Sequence, residues 1–414
     1  MSAHQQLQRR LGTFDATAIG LGSMLGAGVF VVFAPAAALA GQLLALSVVI
    51  AGVVAYCNAV ASAALAAKYP TSGGTYVYGR EQLGQWPGFL AGWGFVTGKT
   101  ASCAAMALTF GSYAWPGYEL PAAVAAVVVL TGVNLLGITR TALLTRILLC
   151  IVLATLAFVA VAAAVGPHPA AGSGGPAVEA SLGGVLPAAG LMFFAFAGYA
   201  RIATLGEEVK DPARAIPRAI IAALAAAFAI YLALSLLLLN HLPGGQLAAT
   251  RTPLLDAVLE SRFEGGAVLV QVGAAAACLG ALLALITGVG RTTMAMARER
   301  DLPSPLAKVG GKHTVPYVAE LAVAAVVILL LLTTDVMTVV GFSSFGVLIY
   351  YAVANASAYT LAVHPGYAPK WLNAVGFAAC LLLAFTLPPA SVLTMVAVLA
   401  AGVAGRWLVL RLRH

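Results

Sequence analysis

Apolar residues in this chain run in long blocks rather than in strand-like alternation, separated by short polar or Pro/Gly-rich breaks. About 20 consecutive apolar residues cross a bilayer as a helix, and on that measure the pattern predicts twelve membrane helices. Their approximate spans are 14–40, 43–67, 88–113, 120–137, 142–165, 182–206, 216–240, 265–296, 315–332, 336–363, 372–387 and 390–410. The eleventh is short, because LNAVGFAACLLLAFTL ends at Pro388 and Pro389. The first carries GLGSMLGAG at residues 20–28, with four glycines in nine positions. Each glycine inside a helix costs about 1 kcal/mol relative to alanine. Such a run either admits a neighbouring helix at close range or marks a place where the helix breaks.

Composition strengthens the membrane reading: 61% of residues are hydrophobic and 9% are charged, and the mean hydropathy is +0.97. A soluble domain carries about 25% charged residues, and a transmembrane barrel shows alternating segments of about ten residues; both classes are excluded. Basic residues test the span count, because cytoplasmic loops hold the lysine and arginine excess. With the N-terminus inside, eighteen of the 22 cations fall on the cytoplasmic side, Arg251 and Arg262 on the other, and Lys99 and Arg201 within helices. The expectation is a multi-pass protein of the cell membrane with both termini cytoplasmic. Its net charge of +8 then meets anionic lipid and requires no nucleic acid. The polar start followed by a long apolar run is unlike a cleaved signal. Five dispersed cysteines, with no CxxC and no neighbouring histidine, read as small buried hydrophobes, not disulfides or metal ligands. The histidines fall in loops or tails and offer no proton relay within the membrane.

A second anomaly, FFAFAGYAR at 193–201, lies in helix 6, and its Gly198 stands 172 residues after Gly26. Helices 1–5 and 6–10 then read as two repeats, each opening on an interrupted helix, which is the pattern of an inverted-repeat transporter with its site at the midplane. The packing alternative for helix 1 is a GxxxG face at Gly22 and Gly26. In helix 6, bulky Phe193, Phe194, Phe196 and Tyr199 around one glycine suit a pocket wall better than close packing, although aromatics there also fit ordinary core. A break frees backbone N–H groups that hold a carboxylate, here those of Gly26, Ala27 and Gly28. Carbonyls near Gly20–Ser23 and Phe194–Ala197 would accept from an ammonium group. A ligand with both groups a few ångströms apart is an α-amino acid.

Four blocks resemble the amino acid, polyamine and organocation permeases, the APC superfamily: GSMLGAGVF at 22–30, YPTSGGTYVYGREQLG at 69–84 followed by GFLAGW at 88–93, FFAFAGYARIATLGEEVKDPARAIPRAI at 193–220, and GRTTMAMARERDLPSPLAKV at 290–309. The resemblance implies an all-α membrane fold of twelve helices, built as the five-plus-five inverted repeat of sodium-coupled leucine transporters with discontinuous helices 1 and 6. After a tail at 1–13, a ten-helix core would cover 14–363, with repeats at about 14–165 and 182–363, and helices 11 and 12 would lie in 364–414. It further implies secondary transport of amino acids by alternating access, with Ser23, Met24, Leu25, Gly26, Ala27 and Gly28 binding the carboxylate and Phe194, Phe196, Ala197, Gly198 and Tyr199 facing the amine and side chain. No cofactor or metal is implied. Many members carry an acidic residue two positions after the helix-6 glycine; here Ala200 and then Arg201 follow, which argues against a cationic substrate read by helix 6, while the small helix-1 residues and the aromatic helix-6 wall favour neutral amino acids. The lysine that some proton-coupled members carry on helix 5 aligns with Val152.

Lys99 in helix 3 is then a coupling candidate, as a fixed or protonatable charge at the core, or else a structural cation; an intramembrane charge marks function by default. Arg201, expected to pair with Glu207 or Asp15 or else to touch an anionic substrate group, and Thr287, expected beside the former cation site, are further coupling candidates. Glu207, Glu208, Lys210, Arg214 and Arg291 are gating candidates, against the alternative of solvated loop charge. Protons are a possible second substrate, alongside exchange and export on the same scaffold, and a non-transporting amino-acid sensor is the other reading. Oligomeric state is left open. A major-facilitator transporter would carry a long charged loop after helix 6, where this chain has about ten residues. No HExxH, GxSxG or Cys/His cluster supports an enzyme.

Overall fold

In a membrane every backbone polar group must be satisfied internally, so helices are the natural unit for a chain this apolar. The computed structural model describes residues 11–71, 73–165, 180–206, 208–242, 245–250, 252–310, 315–333 and 336–411, without the side chains of 27, 138–142 and 336–338. Among the described residues the structure is all-helical, with two isolated β-bridges and no strands. The helices are α1 (Thr13–Met24), α2 (Ala27–Val31), α3 (Phe33–Ala40), α4 (Leu44–Lys68), α5 (Thr75–Leu83), α6 (Gln85–Ala114), α7 (Glu119–Leu135), α8 (Ile138–Val165) and α9 (Leu182–Phe196). After them come α10 (Ala200–Ala203), α11 (Pro212–His241), α12 (Gln246–Ala249), α13 (Pro253–Leu259), α14 (Ala267–Arg298), α15 (Tyr317–Leu331), α16 (Val336–Tyr359), α17 (Lys370–Thr386) and α18 (Pro389–Arg411).

Eight stretches among the described residues are long and apolar enough to cross a membrane, and α7, α15 and α17 are shorter apolar helices. Burial separates them into core and periphery. The Val339–Tyr359 stretch of α16 is 89% buried and packs on α6, whereas α18 is 17% buried. On the outer helices Val128, Val129, Ile147, Phe385 and Leu393 are exposed, as lipid-facing positions must be.

Three features depart from the sequence expectation. The segment 69–84 is not a plain loop: Gly73 and Gly74 turn the chain through positive φ and launch α5, which Gly84, also at positive φ, ends. Cys150 faces outward on α8, while Cys57, Cys103, Cys278 and Cys380 are buried as expected. His241 closes α11 and is buried rather than lying in a loop.

Two of the sequence blocks meet in space. Asp301, after α14, accepts from Tyr76 (2.7 Å) and Arg80 (2.9 Å) of α5 and from Arg406 (2.8 Å) of α18. Burial and the Asp301 carboxylate push the Tyr76 phenol up from its usual pKa, keeping it a donor. The Arg406 guanidinium lies 4.4 Å from the Trp86 ring centroid. Removing the shared carboxylate leaves buried Arg406 unpaired, so Asp301→Ala should cost about 3–5 kcal/mol. Glu299, 52% exposed and paired with Arg80, should cost under about 1 kcal/mol when replaced by alanine. Thermal unfolding of the purified variants checks the contrast, and equal shifts would refute it.

Candidate functional site

The first span breaks where its glycines cluster. α1 ends at Met24, the Leu25 N–H closes the last turn on the Leu21 carbonyl, and Gly26 leaves helical geometry at φ −75°, ψ −147°. α2 then restarts at Ala27 and runs on into α3 with a bend at Val32. Among the described residues nothing accepts from the Gly26 and Gly28 N–H groups, and the Ser23 hydroxyl is buried without a partner. The interruption in the second segment is milder. α9 tightens into a 3₁₀ turn at Ala197–Tyr199 before α10, so the helix narrows and keeps its handedness instead of opening.

These two interruptions touch. A Cβ placed on Gly198 would lie 2.5 Å from the backbone N of Met24, and one on Gly28 would lie 2.8 Å from the Cα of Ala195. Backbone meets backbone at both points, and only glycine permits that approach. The glycine run therefore serves both purposes weighed from the sequence: Gly26 and Gly28 combine the break with close packing, since a Cβ on Gly26 would strike Ala281 of α14.

Tyr231 of α11 secures the crossing from behind. Its hydroxyl sits against the Met24 carbonyl freed by the break and 3.2 Å from the Ala195 carbonyl. Its ring packs edge-on against Phe196 at 4.9 Å. Phe193 and Tyr199 extend the aromatic wall to Tyr351 of α16, at 5.8 and 5.0 Å, and Phe194 is buried with them. Three cavities of about 510, 470 and 430 Å³ open elsewhere, around Trp86, Trp93 and Arg406, and share no residue with the crossing.

A small void of about 10 Å³ lies between the first span, α8 and α14, lined by Gly22, Leu25, Thr145, Val152, Ala276, Ala277 and Gly280 among others. Val152 thus lies across the void from Gly22 and Leu25 of the first span. Thr287 does not line this void; it lies two turns further along α14, with its hydroxyl on the Leu283 carbonyl. Lys99 is buried in α6 at 3% exposure, with no acceptor or carboxylate paired to it among the described residues.

The gating candidates separate into two groups. Glu208 forms a buried ion pair with Arg291 of α14. Its backbone joins a latch in which the Leu11 N–H donates to the Glu208 carbonyl (3.0 Å) and the Lys210 N–H to the Leu11 carbonyl (2.8 Å). The Lys210 and Arg214 side chains are exposed and form no ion pair among the described residues, and Glu207 lies outside those residues. Arg201 does not take Asp15, which pairs with Arg146; it donates instead to the Thr204 hydroxyl at 2.7 Å.

Sequence reasoning missed two residues of this region. Tyr231 carries no sequence signal, since a tyrosine in an apolar helix reads as core. Glu320 did carry one: it is an acidic residue inside a predicted span, and it lies buried in α15 beside Arg291.

Comparison with known proteins bears on most of the chain. The family model described as "Amino acid permease" matches residues 11–404. An uncharacterised transporter of Mycobacterium tuberculosis is 54% identical over 404 residues, covering 96% of this chain and 91% of the relative. The branched-chain amino acid permease of Bacillus subtilis is 31% identical over 346 residues, 77% of this chain and 73% of the relative. A vacuolar cationic amino acid transporter of Arabidopsis thaliana is 28% identical over 389 residues, 87% of this chain and 61% of the relative.

Replacing Tyr231 with phenylalanine keeps the ring on Phe196 and removes the one O–H shared between two buried carbonyls. Leaving such groups unpartnered should cost about 1–3 kcal/mol, measurable as a fall in the thermal unfolding midpoint. An unchanged midpoint would show that the hydroxyl does not hold the crossing.

Proposed function

The chain belongs to the amino acid permease family, and from that premise we propose that it is a proton-coupled transporter that carries neutral amino acids across the cell membrane by alternating access. The proposal rests on the crossing of the two interrupted segments, where unpaired N–H groups and an aromatic wall lie side by side. Ser23, Met24, Leu25, Gly26, Ala27 and Gly28 hold the substrate carboxylate through the freed N–H groups and the Ser23 hydroxyl. Carbonyls between Phe194 and Ala197 take the ammonium, and Phe194, Phe196 and Tyr199, with Gly198 between them, bound the side chain. No acidic side chain follows the 3₁₀ turn directly, since Ala200 and Arg201 come next. A neutral, apolar side chain therefore fits better than a cationic one, in keeping with the name of the branched-chain relative.

In this reading the eight long stretches, α6 and the three shorter apolar helices make twelve crossings with both termini cytoplasmic. Residues 14–363 form the two-repeat core, and 364–414 supply the last two helices. Glu208 and Arg291, with the Leu11–Val209 bridge, close the cytoplasmic side. Lys99 supplies the positive charge of the core, in a chain whose void beside Val152 is lined mainly by apolar groups.

Purified protein in liposomes, presented with a panel of labelled amino acids, should accumulate the neutral apolar ones under an inward proton gradient. Failure across the full panel would contradict the transporter assignment. The role of Lys99 is tested in the same vesicles: Lys99→Ala should abolish substrate-driven proton uptake. Unchanged uptake with unchanged pH dependence would remove Lys99 from the mechanism.

A further inference from the structure

Four ionisable side chains from three parts of the chain converge out of reach of solvent: Arg201, Glu208, Arg291 and Glu320, each 1–2% exposed. Their bonding is lopsided. Arg291 gives one N–H to Glu208, and its Nε and Nη1 have no acceptor among the described residues. Glu320, in the first turn of α15, lies over Gly290, so that a Cβ there would stand 2.7 Å from its Cγ. Both of its carboxylate oxygens are buried and meet no donor among the described residues. A guanidinium with idle donors and a carboxylate with idle acceptors are neighbours, yet the pair is not made.

The surrounding charges are few. Those acting on Glu320 are Arg291, Arg201 and Glu208. Arg201 lies across α14 at Gly288, bonded to Thr204. Of the other elements packed on α15, α6 carries only Lys99, α7 only Glu119 at its first residue, and Ser304–Ala307 no charge. With Glu320 ionised the four groups balance, but in this closed arrangement neither guanidinium donates to it. A buried carboxylate without donors is strongly disfavoured, and a bound proton relieves that cost. When the Glu208 segment moves away, Arg291 loses its partner and becomes free to pair with Glu320, which favours ionisation.

We propose that Glu320 carries the coupling proton, holding it while the Glu208–Arg291 pair is closed and releasing it when Arg291 changes partner. The step is a simple dissociation: the carboxyl O–H breaks, the proton leaves to water admitted by the open gate, and the carboxylate takes Arg291. The assignment rests on the proton-coupled reading given above, and it makes Lys99 a fixed charge rather than the carrier.

The test uses the full chain in liposomes with labelled leucine as the probe. Wild-type protein should accumulate leucine under an inward proton gradient and take up protons with it. Glu320→Gln should lower gradient-driven accumulation by about tenfold or more and flatten its pH profile, while leucine counterflow, which needs no net proton movement, continues. Glu320→Gln that accumulates leucine with the wild-type pH profile overturns the assignment and leaves proton coupling standing. Wild-type protein that accumulates leucine with no response to the proton gradient and no proton uptake overturns the coupling reading and the role of Glu320 together. If Glu320→Gln does not fold, Glu320→Asp decides, since a carboxyl one methylene shorter should shift the pH midpoint; a profile superimposable on wild type counts against the proposal. Infrared difference spectroscopy reads the same group without substrate. A protonated-carboxyl band that disappears on raising the pH should be present in wild type and missing in Glu320→Gln, and identical spectra would overturn the assignment.

Discussion

The contact on which the site depends is backbone against backbone where two interrupted helices cross. Gly198 lets the 3₁₀ turn rest on Ser23 and Met24, and Gly28 lets the restarted first helix rest on Ala195. A side chain at either point would push the segments apart. Breaking a helix inside an apolar protein leaves N–H and carbonyl groups that cost free energy if nothing meets them. Here the carbonyl side of the problem is met by Tyr231. The N–H side is left open at Gly26 and Gly28, where a bound carboxylate would find donors already in place. The geometry thus separates a structural half from a half available to a ligand.

Charge in this chain is concentrated where segments must be held relative to one another. Asp301 gathers Tyr76, Arg80 and Arg406, tying α5 to α18. Glu208 and Arg291 tie the segment after α10 to α14, and the Leu11–Val209 bridge adds the residues before α1 to the same closure. Because α1 carries the break and α10 follows the 3₁₀ turn, short stretches of chain join this closure to both sides of the crossing. In the mechanism proposed above, this connection lets a proton bound at Glu320 govern access to a substrate held at Gly26.

Much of this was legible in the sequence because lipid imposes a simple rule on composition: long apolar runs, and charges only where they are used. The first break was legible as one of two readings, because four glycines in nine residues of a membrane helix mark either close packing or an interruption. The second was half legible. Gly198 marked the place, but a single glycine among aromatics did not reveal that the helix would tighten rather than open, since the backbone from Phe196 to Ala200 stays in the right-handed region. Tyr231 was hidden because its role comes from a contact with residues 207 and 36 positions away. The bond of Arg201 to Thr204 rather than to Asp15 was hidden for a related reason: membership of an interrupted segment does not say toward which neighbour a side chain turns. Loop charge was the weakest guide, as Glu208 is buried and paired while Lys210 and Arg214 are exposed.

The measurement that bears most directly on the central claim is an experimental structure with a transported amino acid bound. The carboxylate should lie within hydrogen-bonding distance of the Gly26–Gly28 N–H groups, with the side chain against Phe194, Phe196 and Tyr199. An amino acid seated instead in one of the cavities around Trp93 and Arg406, with the crossing unoccupied, would contradict the account.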